Sequence, residues 1–173
     1  PSFAVRTQTI DVLARMDGDA AELIAKSLPI NWYPLALNAR FDELVCQELG
    51  RADERIYDAM GAQSAETFAQ QIYTSYFHEA TPEKFLRITL ELYRHHYKNA
   101  GTRRNVATGP GRVELLVEDA PEAYVPNCAS NIGFIRRSLE LLGARDVACQ
   151  EVVCAARSPA RSGSCRALVS WRP

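Results

Sequence analysis

The segment CQEVVCAARSPARSGSC, residues 149–165, decides how the C-terminal third of this chain is interpreted. Apolar stretches flank SPARSG, whose proline and glycine are typical of a turn, so the segment predicts a β-hairpin. It carries Cys149, Cys154 and Cys165, three of the five cysteines in the chain. Cysteines in such a hairpin are either small buried residues of the sheet or ligands of a metal ion.

Upstream of this segment the pattern is helical. Apolar spacing and stop signals indicate helices over 7–16, 18–28, 35–49 and 52–60, the last ending at Gly61, and a further helix from Ser64 to about Phe77. Thr81-Pro82-Glu83 is the clearest helix start, because a capping hydroxyl precedes a proline at the first helical position. That helix is predicted to end at residues 99–101.

Beyond residue 101 the pattern changes to strands. Residues 112–118 follow a Gly-Pro-Gly turn and resemble a strand, a helix is indicated over about 129–142, and strands follow within 146–157 and 165–171. We therefore predict one α+β domain over 1–173, with a helical portion (1–101) packed on a small antiparallel sheet in a strand–helix–strand–strand portion (102–173).

The composition limits the classes of function. A chain of 173 residues with 47% hydrophobic and 24% charged residues is an ordinary globular domain. Its net charge of −1 and the absence of aromatics interleaved with basic residues argue against nucleic acid and anionic membranes as partners. No membrane span or signal peptide is visible, and an odd number of cysteines favours a reducing, cytoplasmic location.

Four residues form a candidate metal site. Cys128, Glu151, Cys154 and Cys165 are chemically able to supply a tetrahedral zinc site, and the hairpin would bring the last two cysteines together. However, Glu151 and Cys154 are three residues apart, so in a regular strand they would face opposite sides. A shared metal requires the strand to end or bulge between them.

The segment from Gly133 to Trp171 resembles the 4-vinyl reductase domain, in which a helix precedes a strand with E-x-x-C, a turn and a further cysteine. In phenol-sensing members of that family a zinc ion is held by an upstream cysteine, this glutamate and two cysteines. The resemblance therefore implies zinc on Cys128, Glu151, Cys154 and Cys165. The loop between Cys154 and Cys165 is longer than usual in the family.

The whole chain also resembles a paralogous family of unknown function from myxobacteria. The similar motifs are WYP at 32–34, TPEKFL at 81–86, NAG at 99–101 and the C-terminal VSW. Both resemblances imply an architecture shared with haem–nitric-oxide-binding domains and with Golgi-transport (TRAPP) subunits. They imply a sensory, signalling role with a pocket for a small hydrophobic ligand, and a homodimer or protein partner.

Aromatic residues of the helical portion are the candidate pocket. Trp32, Tyr73, Phe77, Phe85 and Tyr93 would line it, although large apolar residues at helical spacing serve equally well as core. No nucleophile–base pair or nucleotide-binding motif is present, so the sequence predicts no enzyme.

Four alternatives remain open. The cysteines can be packing residues, or Cys154 and Cys165 can form a disulfide, which a reducing location disfavours. His95 and His96 suggest haem, but they are out of register with the haem–nitric-oxide-binding family and match a pair of cations at a helix C-terminus. An interaction or scaffold domain of the same fold without a small ligand is the main alternative function.

Overall fold

The computed structural model describes residues 12–26, 32–49, 53–69, 80–160 and 162–172. In these ranges the helices are α1 (Gly18–Ala25), α2 (Leu35–Glu48), α3 (Arg55–Thr67), α4 (Pro82–His96) and α5 (Val125–Leu141). The strands are β1 (Thr102–Gly109), β2 (Arg112–Ala120), β3 (Arg145–Val153) and β4 (Gly163–Arg172). Short 3-10 helices occupy Leu13–Arg15 and Ala155–Arg157. The predicted α+β class is confirmed.

The four strands form one antiparallel sheet in the order β1-β2-β4-β3. Two hairpins, β1–β2 and β3–β4, therefore pair through β2 and β4, and α5 connects them. Since residues of a strand alternate between the two faces, one face of the sheet can pack on helices. Val113, Val169 and Trp171 of the sheet form a buried core with residues of α4 and α5.

One strand of the sheet, β1, is missing from the strand–helix–strand–strand pattern expected from the sequence. Most of its residues are exposed, and it lies at an edge of the sheet. Its sequence, TRRNVATG, has too few apolar residues to alternate visibly. Hydrophobic periodicity cannot detect such a strand, because a strand that buries little needs little apolar surface.

The prediction of a break at Gly61 and a new helix at Ser64 was wrong. Helix α3 runs through both positions, and the Ser64 hydroxyl donates to the Met60 carbonyl oxygen at 2.9 Å. Gly61 is instead required by packing, since a Cβ atom there would lie 1.8 Å from the Ser130 carbonyl oxygen of α5. Gly133 of α5 makes the reciprocal approach, because a Cβ atom there would lie 2.0 Å from the Asp58 carbonyl oxygen. The two helices therefore cross backbone to backbone.

The start of α4 agrees with its sequence signal. The Thr81 hydroxyl accepts a hydrogen bond from the Lys84 amide at 3.2 Å, and Pro82 is the first helical residue. The helix buries Phe85, Leu86 and Thr89, and the two apolar residues belong to the core shared with the sheet and α5. A separate cluster, with Phe41, Leu44 and Val45 of α2, forms the core of the N-terminal helices.

Two further observations complete the comparison with the sequence. Of the helix predicted over 7–16, residues 7–11 lie outside the described residues and Leu13–Arg15 form a single 3-10 turn. Within the described part of the chain, no helix has the length and apolar character needed to cross a membrane.

Candidate metal centre and adjoining cavity

Three elements bring Cys128, Cys154 and Cys165 to one end of the sheet. Cys128 lies in the first turn of α5, Cys154 follows the last residue of β3, and Cys165 lies near the start of β4. The pairing register of β3 shifts between Glu151 and Val153. This irregularity, followed by the end of the strand, is the break that a shared site for Glu151 and Cys154 requires.

The three sulfur atoms form a compact cluster. All of them lie within 4.8 Å of one another, and the Cys128 and Cys165 Sγ atoms are 3.9 Å apart. The Ala155 amide donates to the Cys165 Sγ atom at 3.3 Å. None of the five cysteines forms a disulfide in the structure, including the Cys154–Cys165 pair for which one was considered. We refer to Cys128, Cys154 and Cys165 as the cysteine cluster.

Hydrogen bonding within the cysteine cluster separates the pKa values of its thiols. Hydrogen bonds with the Cys128 and Cys154 thiols, and the one donated by the Ala155 amide, lower the pKa of Cys165 to about 3. Hydrogen bonds with Cys154 and Cys165, together with burial, raise the pKa of Cys128. Without a metal, the negative charge of the cluster is therefore held at Cys165, and a thiolate is the form of cysteine that binds metals.

The fourth predicted ligand, Glu151, lies at the edge of the cysteine cluster. Its side chain is hydrogen-bonded to Cys154, and burial is the main cause that raises the pKa of its carboxyl group. The Arg157 Nε atom donates to the Glu151 Oε2 atom at 2.9 Å. Arg157 also forms a bidentate pair with Glu54, at the N-terminal end of α3, at 2.9 and 2.5 Å. Arg157 thus ties Glu151 to the helical portion.

The remaining cysteine of the hairpin, Cys149, is not part of this group. It packs against the core formed by the sheet, α4 and α5. Burial raises the pKa of its thiol to about 12. The sequence allowed all of the hairpin cysteines to be buried packing residues. In the structure this describes Cys149.

A cavity of about 120 Å³ lies beside the cysteine cluster. Cys128 and Cys165 form part of its wall, together with the apolar residues Leu115, Val117 and Ile132. A larger cleft of about 1110 Å³ lies among the helices and shares several wall residues with the cavity, including Tyr93, Tyr97 and Arg103. The cavity therefore connects the helical portion to the cluster.

The predicted pocket residues are distributed unevenly around these spaces. Tyr93 lines both the cavity and the cleft, and Trp32, 55% exposed, lines the cleft. Phe85 lines neither, because its side chain, 1% exposed, is enclosed in the core and contacts Phe134. Tyr73 and Phe77 lie outside the described residues.

Two polar residues of the cavity wall were not singled out by the sequence. Arg103 of β1 lies over the Tyr93 ring, with 5.7 Å between its Cζ atom and the ring centroid. Asn127 is buried, and its Oδ1 atom has no hydrogen-bond partner among the described residues. From the sequence, Arg103 belongs to a polar stretch and Asn127 to the start of a helix. Which way each side chain points depends on the register of the strand and the phase of the helix, and local sequence does not determine either.

Comparison with known proteins identifies the fold. No family model matches the sequence, and no curated protein matches it. Several solved structures are similar. An oxygen-binding H-NOX domain related to soluble guanylate cyclases, in its oxygen complex, has a TM-score of 0.65 at 16% identity and covers 94% of this chain and 90% of that chain.

Two other structures give similar values. One, concerned with the molecular mechanism of H-NOX activation, has a TM-score of 0.64 at 15% identity, covering 94% of this chain and 91% of that chain. Another, concerned with heme redox potential and porphyrin distortion, has a TM-score of 0.65 at 16% identity, covering 84% of this chain and 76% of that chain. The chain has the H-NOX fold.

The expected architecture shared with haem–nitric-oxide-binding domains is therefore confirmed at the level of the fold. Membership of the 4-vinyl reductase or myxobacterial families, and the likeness to Golgi-transport subunits, stay predictions. At these identities the likeness describes the path of the chain, so the function has to be argued from this chain's own residues.

Proposed function

We propose that this chain is a non-catalytic sensory domain that binds a small hydrophobic ligand beside a structural zinc site. The observation that carries this proposal is that Cys128 and Cys165 belong both to the cysteine cluster and to the wall of the cavity. A ligand in the cavity would therefore touch the residues that fix the end of the sheet.

The spacing of the sulfur atoms supports zinc. Thiolates that bind zinc at about 2.3 Å in a tetrahedron lie about 3.8 Å from one another. The Cys128–Cys165 distance of 3.9 Å is close to that value, and the third sulfur is within 4.8 Å of both. The ends of two paired strands and the start of α5 converge here, which is typical of a structural site that holds elements together.

The surroundings also suit a metal. Three thiolates and one carboxylate around Zn²⁺ leave a net charge of about −2. The guanidinium of Arg157, which binds Glu151, would offset part of this charge. The Ala155 amide donates to Cys165, as outer groups around metal ligands commonly do. We assign Cys128, Cys154 and Cys165 as ligands and Glu151 as the fourth.

The cavity limits the size of the ligand. An engineered apolar cavity of about 150 Å³ in another protein binds benzene. The cavity here, about 120 Å³, is suited to one aromatic ring or a short acyl chain. The presence of a cavity also favours ligand binding over a scaffold of the same fold, for which a closed interior would be expected.

Haem fits the described residues poorly. Among the described residues that line the cavity or the cleft, His96 is the only histidine, and it is exposed at the last residue of α4. The preceding turn of α4 faces the cleft with Leu92, which offers no iron ligand. The Tyr93 hydroxyl donates to the Ala100 carbonyl oxygen at 2.7 Å. We therefore derive no role for haem.

The first test is elemental analysis of the protein purified without added metal or chelator. We expect about one zinc per chain. The variant with Cys128→Ser, Cys154→Ser and Cys165→Ser should contain none, and Cys149→Ser, the matched control in the same hairpin, should retain it. Titration with benzyl alcohol, followed by amide chemical shifts, should perturb Val117 and Ala167 of the cavity wall.

Other results would overturn the proposal. A protein without metal would make the cysteine cluster a packing feature. Iron in place of zinc, with a Soret absorption band, would replace the proposal with a haem sensor. Zinc without any response to benzyl alcohol, n-hexanol or benzoate would favour a scaffold domain.

A further inference from the structure

Two adjacent arginines of β1 have contrasting surroundings. Because neighbouring residues of a strand face opposite sides of the sheet, Arg103 and Arg104 point away from each other. Arg104 is exposed and pairs with Glu118 of β2, with its Nε atom 2.8 Å from Oε2. Arg103 points toward the helices and lines both the cavity and the cleft.

Arg103 has no carboxylate partner among the described residues. Its contacts are the face of the Tyr93 ring and a long hydrogen bond of 3.5 Å from its Nε atom to the Asn105 Oδ1 atom. Glu122 lies in the wall of the same cavity, but its carboxylate accepts from the Tyr124 hydroxyl at 3.2 Å and does not pair with Arg103. Within the described part of the chain, this half-buried guanidinium lines the cavity and the cleft without a counter-ion.

This arrangement is energetically unusual. Buried charges in proteins are normally paired, because removing a charge from water is costly. Burial lowers the pKa of the Arg103 guanidinium, while the nearby Tyr97 and Tyr93 phenols favour its charged form. Arginine remains charged at neutral pH even so. A planar guanidinium with free N–H groups matches a carboxylate in a bidentate manner.

We infer that the ligand of the cavity is a small apolar carboxylate, such as an aromatic or short-chain acid, whose carboxylate binds Arg103 and whose apolar part lies against Leu115, Val117 and Ile132. This inference rests on the proposed ligand-binding function and adds the chemical class of the ligand. The carboxylate supplies the missing counter-ion, and the hydrocarbon body matches the rest of the wall.

Benzoate and benzamide form a matched pair of probes, because they have nearly the same shape and differ in charge. Isothermal titration and amide chemical shifts of the zinc-loaded protein would give the dissociation constants. A hydrogen bond to a charged group is stronger than one to a neutral group, so benzoate should bind at least about tenfold more tightly than benzamide. The shifts should include Val117 and Ala167.

Variants at the two arginines locate the effect. Arg103→Gln should abolish the preference for benzoate and leave the affinity for benzamide within about twofold. Arg103→Lys keeps the positive charge but loses the two parallel N–H donors of the guanidinium, so it should retain a reduced preference for benzoate. Arg104→Gln is the matched control on the other face of the strand and should behave as the wild type. Circular dichroism of each variant verifies folding.

The inference is overturned if the wild type binds benzoate no more tightly than benzamide, or if folded Arg103→Gln keeps the preference. If Arg103→Gln does not fold, Arg103→Lys decides, and complete loss of the preference in that folded variant counts against the inference. Binding of benzyl alcohol without any binding of benzoate or hexanoate overturns the carboxylate assignment alone. Failure of every probe overturns the proposed function as well.

Discussion

Cys149 and Cys165 belong to two paired strands, yet the structure gives their thiols opposite properties. Cys149 faces the core from the middle of β3, and burial raises its pKa to about 12. Cys165, near the start of β4, forms hydrogen bonds with two other thiols and accepts one from the Ala155 amide, and these lower its pKa to about 3. The pKa values of the two thiols are therefore shifted in opposite directions.

The difference arises from the position along the hairpin. In the middle, Cys149 is opposite Val169, and the backbone groups of both strands belong to the sheet. At the end, the register shift after Glu151 and the short 3-10 helix turn the chain, so that the Ala155 amide points to a sulfur atom. Two cysteines on strands acquire different chemistry because one lies within the paired region and the other lies where the neighbouring strand ends.

The largest expected effect is on the pH dependence of thiol alkylation in the metal-free protein. Only the thiolate reacts, so the rate at Cys149 should rise about tenfold per pH unit, or roughly four orders of magnitude from about pH 5 to about pH 9. Cys165, whose pKa lies below this range, should react at a nearly constant rate. Mass spectrometry of each cysteine peptide after iodoacetamide treatment measures both slopes. Equal slopes would contradict the comparison.

The next effect is on stability. Zinc at about a thousand times its dissociation constant contributes about 4 kcal/mol to the free energy of unfolding, which for a domain of this size corresponds to roughly 8–16 °C in Tm. A chelator should therefore lower the Tm of the wild type by about that amount. Differential scanning calorimetry with and without chelator measures the change.

Variants at the two kinds of cysteine sharpen this result. Cys149→Ala should retain the full response to the chelator, because Cys149 contributes packing only. The variant that lacks all three thiols of the cysteine cluster should show no response. If the Tm of the wild type is the same with and without chelator, the three cysteines of the cysteine cluster contribute packing only, as Cys149 does.

Much of this comparison could be predicted from the sequence, though for different reasons at different residues. The hairpin and the start of α4 depend on local signals, namely Pro and Gly between apolar runs and the Thr81-Pro82 cap. Such signals act within a few residues, so they do not depend on contacts with distant parts of the chain. The grouping of Cys128 with Cys154 and Cys165 was predicted from ligand chemistry and the hairpin and supported by a family resemblance, and the structure brings these residues together.

What the sequence could not provide depends on strand register and on packing at a distance. Nothing in the letters distinguishes Arg103 from Arg104, and only the register of β1 decides which one faces the cavity. From the sequence, Gly61 looks like the end of a helix, since glycine commonly follows a helix. Its actual constraint is the backbone of α5 at Ser130, which lies far along the chain. Local rules fail where a distant segment supplies the reason.

The smallest expected effect concerns the residue that links the end of the hairpin to the helices. Arg157→Gln removes the partner that orients Glu151 and should weaken zinc binding by about 10- to 100-fold, as is typical of residues behind metal ligands. Competition with a chromophoric chelator measures this affinity.

Arg172→Gln is the matched control for Arg157→Gln, because Arg172 pairs with Asp146 at the opposite end of the same two strands. Both ion pairs are largely exposed, so each should contribute only about 0.2–1 kcal/mol to stability. A change in zinc affinity confined to Arg157→Gln would therefore report on the site itself. Equal zinc affinities in the two variants would mean that Arg157 does not orient Glu151 for zinc binding. The three thiols alone would then determine the zinc affinity of the site.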